Sequence, residues 1–157
     1  WRSWHDATID GLAMAHLMIM DLSPSLICWN VRGLNNPTKR KAVREFLVTV
    51  KTSLVCLQET KLDVIDPFIL MQCLGQAFDG YSYLPAIETR GGVLLAWDST
   101  IVDVDNIQLD DNFLTAKVWP KRGGAWWISV VYGPQGDEDK TKLLADLGAR
   151  RTNCPGP

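Results

Sequence analysis

Three polar residues stand at the downstream ends of apolar runs in this chain, and their types suit the handling of a phosphate. The run Leu26-Ile-Cys-Trp29 delivers Asn30, after which Arg32-Gly33 turns the chain. Leu54-Val-Cys-Leu57 ends on Gln58-Glu59-Thr60, and Trp127-Ile-Ser-Val-Val131 ends on Tyr132-Gly133-Pro134. An α/β sheet places its ligand site outside the carboxyl ends of its strands. A carboxylate, an amide and a phenol fit a metal-bound phosphate better than acyl or hydride transfer.

Each residue has two readings. A carboxylate at the end of a buried strand needs something to satisfy it. For Glu59 that partner is either Mg²⁺, which takes one or two carboxylates with phosphate and water, or the ammonium of Lys61. Asn30 either orients a nucleophile or phosphate without adding charge, or caps its own turn. Tyr132 either hydrogen-bonds a phosphate oxygen or serves as a half-buried sheet aromatic. Alone, each signal is weak. Shared position at strand ends of one sense makes them specific together, and predicts that all three converge at one edge of a mixed sheet.

The elements that must position them alternate. Leu26 to Val31 reads as a strand buried on both faces. Asn36-Pro37 is a helix cap followed by proline at the first helical position. Val43, Phe46, Leu47 and Val50 then recur at helical spacing and predict a buried face. Leu54 to Gln58 is the second strand. Asp66-Pro67 repeats the cap signal, and Phe68 to Leu74 is a short helix closed by Gly75. From Tyr81 onward the pattern changes to strands: 81–85, 93–97, 101–109, 113–119 and 126–131. Their short connections, Arg90-Gly-Gly92, Asp98-Ser-Thr100, Asp110-Asp-Asn112 and Lys121-Arg-Gly-Gly124, are hairpin signals that predict antiparallel pairing. A last helix starts near Asp137 and buries Leu143, Leu144 and Leu147. The fold class is α/β, with an α+β mixed sheet and helices outside.

The 157 residues, 46% hydrophobic and 22% charged, are ordinary for one globular domain. A net charge of −2 excludes a global basic field. Charge is uneven, however. Residues 32–61 hold seven Lys/Arg against two Glu, and residues 98–111 hold five Asp with no Lys or Arg. The basic stretch is either a solvated helix face or a nucleic-acid face. Cys28, Cys56, Cys73 and Cys154 lack metal-ligand spacing. Cys28 and Cys56 read as small core residues, and free thiols in an intracellular setting are expected. No apolar run is long enough to span a bilayer. Residues 1–25 read as a poorly structured leader without a signal-peptide cleavage pattern, and 26–157 as a truncated domain.

The stretches WNVRGLNNPTKR, LVCLQETKL, RGGVLLAW and VVYGP, in this order and spacing, resemble the endonuclease/exonuclease/phosphatase superfamily. The wording is most similar to the endonuclease domain of plant LINE-type non-LTR retrotransposons. The resemblance covers residues 26–154 and implies the N-terminal part of a four-layer α/β sandwich. It also implies phosphoester cleavage with Mg²⁺ or Mn²⁺. Residue by residue, Asn30 matches the family Asn beside the metal and attacking water, Glu59 the metal-binding Glu, and Tyr132 the Tyr that holds the scissile phosphate. Arg32 stands where some relatives carry an acid. The family's GDFN-type and SDH-type motifs should follow beyond Arg150, and they are absent from this sequence. His5 and His16 precede the first strand and cannot take their place.

The implied parent is a nuclear DNA endonuclease with a reverse transcriptase domain downstream. The chain itself is expected to be inactive alone, with weak or no metal binding, and to lack much of its second sheet. The alternatives are a sugar- or lipid-phosphate phosphatase of the same superfamily, and a non-catalytic remnant or binding module.

Overall fold

The computed structural model describes residues 23–88, 90–134 and 136–154. The element order is β1 (Leu26–Asn30), α1 (Pro37–Val50), β2 (Leu54–Gln58), α2 (Pro67–Leu74), β3 (Gly80–Leu84), β4 (Val93–Trp97), β5 (Val102–Leu109), β6 (Phe113–Pro120), β7 (Trp126–Val131) and α3 (Asp137–Thr152). Among the described residues no helix is long and apolar enough to cross a membrane. The leader lies outside them except for its last three residues. Of these, Ser25 is fastened: its carbonyl accepts from the amides of Ser53 and Leu54.

The strands form two sheets rather than one. A mixed sheet runs β1-β2-β4-β3, with β1 and β2 parallel and β4 antiparallel to both neighbours. An antiparallel meander runs β5-β6-β7. Side chains alternate faces along a strand, and this divides the core in two. Val55, Leu57, Leu94 and Ala96 face the helices, where they pack with Val43 and Leu47 of α1 and Leu70, Cys73 and Leu74 of α2. Leu54, Cys56, Val93 and Leu95 face the meander, where they meet Val102, Leu114, Ala116, Val118 and Val130. The second sheet therefore covers the first with three strands, where the sequence led us to expect an inner face largely without its partner. Beyond it lies α3, so the layers run helix, sheet, sheet, helix.

The two capped helices form where their signals stand. Asn36 Oδ1 accepts from Thr38 N at 2.8 Å, and Asp66 Oδ1 from Ile69 N at 2.7 Å. Both satisfy first-turn amides that the helix cannot. Several burial expectations need correction. Strand β1 is an edge strand, so Leu26 is 44% exposed and Cys28 is exposed rather than a core residue. Phe46 and Val50 are 45% and 40% exposed. The helix still forms, but it rests on Val43 and Leu47, and Phe46 overhangs the sheet edge. There its ring meets Trp29 edge-on at 5.1 Å. In α3 only Leu143 is buried, while Leu144 is 70% exposed, because the helix touches the meander mainly through polar side chains. The turn at 98–100 is not a hairpin. It carries the chain from one sheet to the other, with Asp98 O accepting from Ile101 N and Val102 N.

Candidate functional site

Parallel pairing of β1 with β2 puts Asn30 opposite Gln58, one residue before Glu59. Asn30 then does two things. Its Oδ1 accepts from Arg32 N at 3.1 Å, closing its own turn. Its Nδ2 donates to Glu59 Oε1 at 2.8 Å. The cap and the site readings of Asn30 are thus compatible, since the two ends of one amide serve both. Glu59 makes no ion pair with Lys61 among the described residues. The stem of Lys61 lies instead against Gly33.

Glu59 has φ +55°, the left-handed region that non-glycine residues seldom enter. Such a conformation costs on the order of 1–3 kcal/mol and persists only where surroundings over-determine it. Here the surroundings are a backbone lattice. Gly33 N and Leu34 N donate to the carbonyls of Glu59 and Thr60 at 2.6 and 2.7 Å. Thr60 N and Lys61 N donate to those of Gly92 and Gly91 at 3.3 and 2.8 Å. The segment after β2 is therefore clamped between the β1–α1 loop and the start of β4.

Tyr132 arrives from the other sheet, not from an edge of the mixed one. A Cβ placed on Gly91 would stand 2.8 Å from Tyr132 Cε2, 3.1 Å from Glu59 Cγ and 3.2 Å from Glu59 Cα. Gly91 is thus the floor on which the phenol ring and the carboxylate meet. Gln58 fixes the sheets to each other here, its Nε2 donating to Val131 O at 2.7 Å. Tyr132 N donates to Asn112 O at 2.7 Å, tying the ring's backbone to the β5–β6 turn. All three sequence-predicted residues are brought together. Sequence reasoning gave no role to Gln58 and Gly91. The Arg90-Gly-Gly92 run was the visible signal of Gly91, because a glycine beside a strand can mark close backbone approach.

Several cations neighbour these residues along the chain. Arg32 and Lys61 flank the Asn30–Glu59 bond in sequence, and Lys39 Nζ donates to Arg32 O at 2.9 Å. Arg40 is used structurally, bonding Leu34 O, Asn35 O and Gln72 Oε1. A cavity of about 370 Å³ opens beside Tyr132, lined by Arg90, Asp111, Asn112, Asp139 and Lys142 among others. A larger one, about 640 Å³, lies under α3 and touches neither Asn30 nor Glu59, so size does not mark the site.

No group of three metal-ligating side chains occurs among the described residues. The oxygens present still suit a hard cation. Glu59 keeps Oε2 beside an Oε1 already oriented by Asn30, and Mg²⁺ commonly accepts one or two carboxylates while retaining water and phosphate. The donor set fits an open, mostly hydrated site.

Comparison with known proteins follows the same lines. A solved structure of D. rerio TDP2 with a single-stranded DNA product aligns at TM-score 0.59 and 18% identity, over 84% of this chain and 56% of that one. A humanized D. rerio TDP2 gives the same score and identity, over 84% and 57%. An AP endonuclease from Leishmania major is 26% identical over 76% of this chain and 43% of its own, at TM-score 0.47. The chain spans about half the length of these structures. No curated protein matches it in sequence. The family model described as Endonuclease/Exonuclease/phosphatase family matches residues 27–157, and the chain belongs to that family.

Proposed function

We propose that this chain is part of a metal-dependent phosphodiesterase, the endonuclease domain of a LINE-type retroelement, acting on DNA in its parent protein. The observation that carries the reading is the 2.8 Å bond from Asn30 Nδ2 to Glu59 Oε1, formed beside Tyr132 on the Gly91 floor. An amide that orients one carboxylate oxygen leaves the other directed for a cation. A phenol alongside offers a donor to a phosphate oxygen. Bound Mg²⁺ or Mn²⁺ supplies a clamp for charge developing on the phosphate.

The residues divide the work. Glu59 holds the cation, and Asn30 aims Glu59. Tyr132 positions the phosphate, and Arg32, Lys39 and Lys61 attract its polyanion. Neither an amide nor a phenol is a base at neutral pH, so activation of water falls to groups outside this set. The whole activity therefore belongs to a longer parent. Nuclear action and a downstream reverse transcriptase are parts of the same reading. The wording WNVRGLNNP and the basic stretch at 32–61 favour a nucleic acid over a sugar or lipid phosphate. A non-catalytic binding role for the isolated chain is the second reading, favoured by the lack of any group of three metal-ligating side chains among the described residues.

The test is nicking of supercoiled plasmid with Mg²⁺ or Mn²⁺. It compares the chain, a version extended by the downstream coding sequence, and the extended version carrying Glu59→Ala. Nicking is expected from the extended protein alone, lost on Glu59→Ala. An inactive extended protein removes the nuclease reading. Glu59-dependent nicking by the short chain would show that it already holds the base.

A further inference from the structure

Cys28 and Cys56 are register partners in the parallel pair β1–β2. In-register neighbours project to the same sheet face, from strands about 4.8 Å apart. That spacing falls within the span of roughly 4.4–6.8 Å between Cα atoms that a disulfide bridges. The shared face is the one toward the meander, since Cys56 packs with Leu54 and Leu95 in the inter-sheet core. The meander lies over β2, β3 and β4 but stops short of β1. Cys56 is consequently buried, while Cys28, one strand outward, is exposed. Burial first, and Cys28 second, push the Cys56 thiol well above its ordinary range. The other two cysteines differ. Cys73 is buried among helix side chains, where burial raises its thiol to about 11, and Cys154 lies far along the chain on the α3 side.

We propose that Cys28 and Cys56 form a redox-reactive pair, a modification site that closes to an intrachain disulfide by exchange with a small-molecule disulfide. Cys28 is the attacking sulfur because it is the one solvent reaches. Its thiolate attacks one sulfur of the small disulfide, that S–S bond breaks, and one small thiolate leaves. Cys56 then loses its proton to water and attacks the Cys28 sulfur, expelling the second small thiol. Two protein thiols are oxidised and one small disulfide is reduced to two thiols. The second step is slowed by burial of Cys56, so closure quickens as pH rises. Asn30 lies two residues beyond Cys28, and Glu59 three beyond Cys56. The crosslink therefore fixes the spacing of the two strands that carry the Asn30–Glu59 bond.

The chain is incubated with glutathione disulfide, quenched in acid, and mapped by mass spectrometry of unreduced peptides. The expected product is the Cys28–Cys56 linked peptide, with no lasting adduct in the parent chain. Its rate should rise about tenfold per pH unit below the Cys56 pKa, following the thiolate fraction. Cys28→Ser, at an exposed position, should abolish the linkage, and Cys56→Ala should leave a stable adduct on Cys28. The Cys28→Ser arm decides the matter even if Cys56→Ala fails to fold. A persistent Cys28 adduct in the parent, a Cys28–Cys28 bridge between copies, linkage to Cys73 or Cys154, or no reaction would each overturn the proposal.

Discussion

Replacing Gly91 with alanine drives a methyl group into the place where the two sheets bring their site residues together. The added Cβ meets the Tyr132 ring at 2.8 Å and the Glu59 backbone at 3.2 Å. The ring is half-buried. The Glu59 Cα cannot give way, because the amides and carbonyls around it are bonded to the β1–α1 loop and to β4. Overpacking of this kind costs ~1–3 kcal/mol. Taking ~2 kcal/mol, and ~2–4 °C per kcal/mol for a domain of this size, the midpoint of thermal unfolding should fall by roughly 4–8 °C. Gly124→Ala, which meets nothing within 4 Å, is the matched control and should stay within ~0.5 kcal/mol of the parent. Circular dichroism of parent, Gly91→Ala, Tyr132→Ala and the double variant completes a cycle. If the ring is part of the obstacle, the double variant should be more stable than the sum of the singles by ~1 kcal/mol. A Gly91→Ala midpoint equal to that of Gly124→Ala, or strict additivity in the cycle, would refute the close approach on which the site geometry rests.

Three further expectations concern the same framework. Gln58→Ala removes the donor to Val131 O and should cost ~1–2 kcal/mol, read as a lower urea midpoint with an unchanged slope. Hydrogen bonds from Ser99 hold the Asp79 carboxyl below its ordinary value, so its small stabilising effect is present above the unfolded pKa and lost as pH falls through the folded one. Ser99→Ala should return the Asp79 titration toward the ordinary carboxylate range by NMR, and the stability difference from the parent should vanish in acid. Arg150 pairs with Gln108 and Asp110 and lies over the Phe113 ring. Arg150→Ala should speed amide exchange across α3 while leaving β2 and β4 protected, and equal loss of protection in all three would show that α3 is not a separately held element.

Much of the local structure is written in short signals of the sequence. Asn36-Pro37 and Asp66-Pro67 start α1 and α2 because side-chain caps and a pre-set proline φ act within one turn. The apolar runs ending at Asn30, Glu59 and Tyr132 mark strand ends, and the motif order around them sufficed to reach the family that the comparison established. Sequence periodicity states which residues share a face, but not what covers that face. Phe46 has helical spacing with Val43 and Leu47, yet it stands over an edge strand and is only half covered. Cys28 has the same surroundings in sequence as Cys56, yet the meander ends one strand short of it. Likewise the turn at Asp98 resembles a hairpin locally, and only packing of Val102, Leu114 and Val130 onto Leu54 and Leu95 sends the chain to a second sheet. That crossing brings Tyr132 to Glu59 from the opposite layer. The left-handed backbone of Glu59 and the missing side chain of Gly91 are consequences of the same long-range fit, since each is set by atoms dozens of residues away.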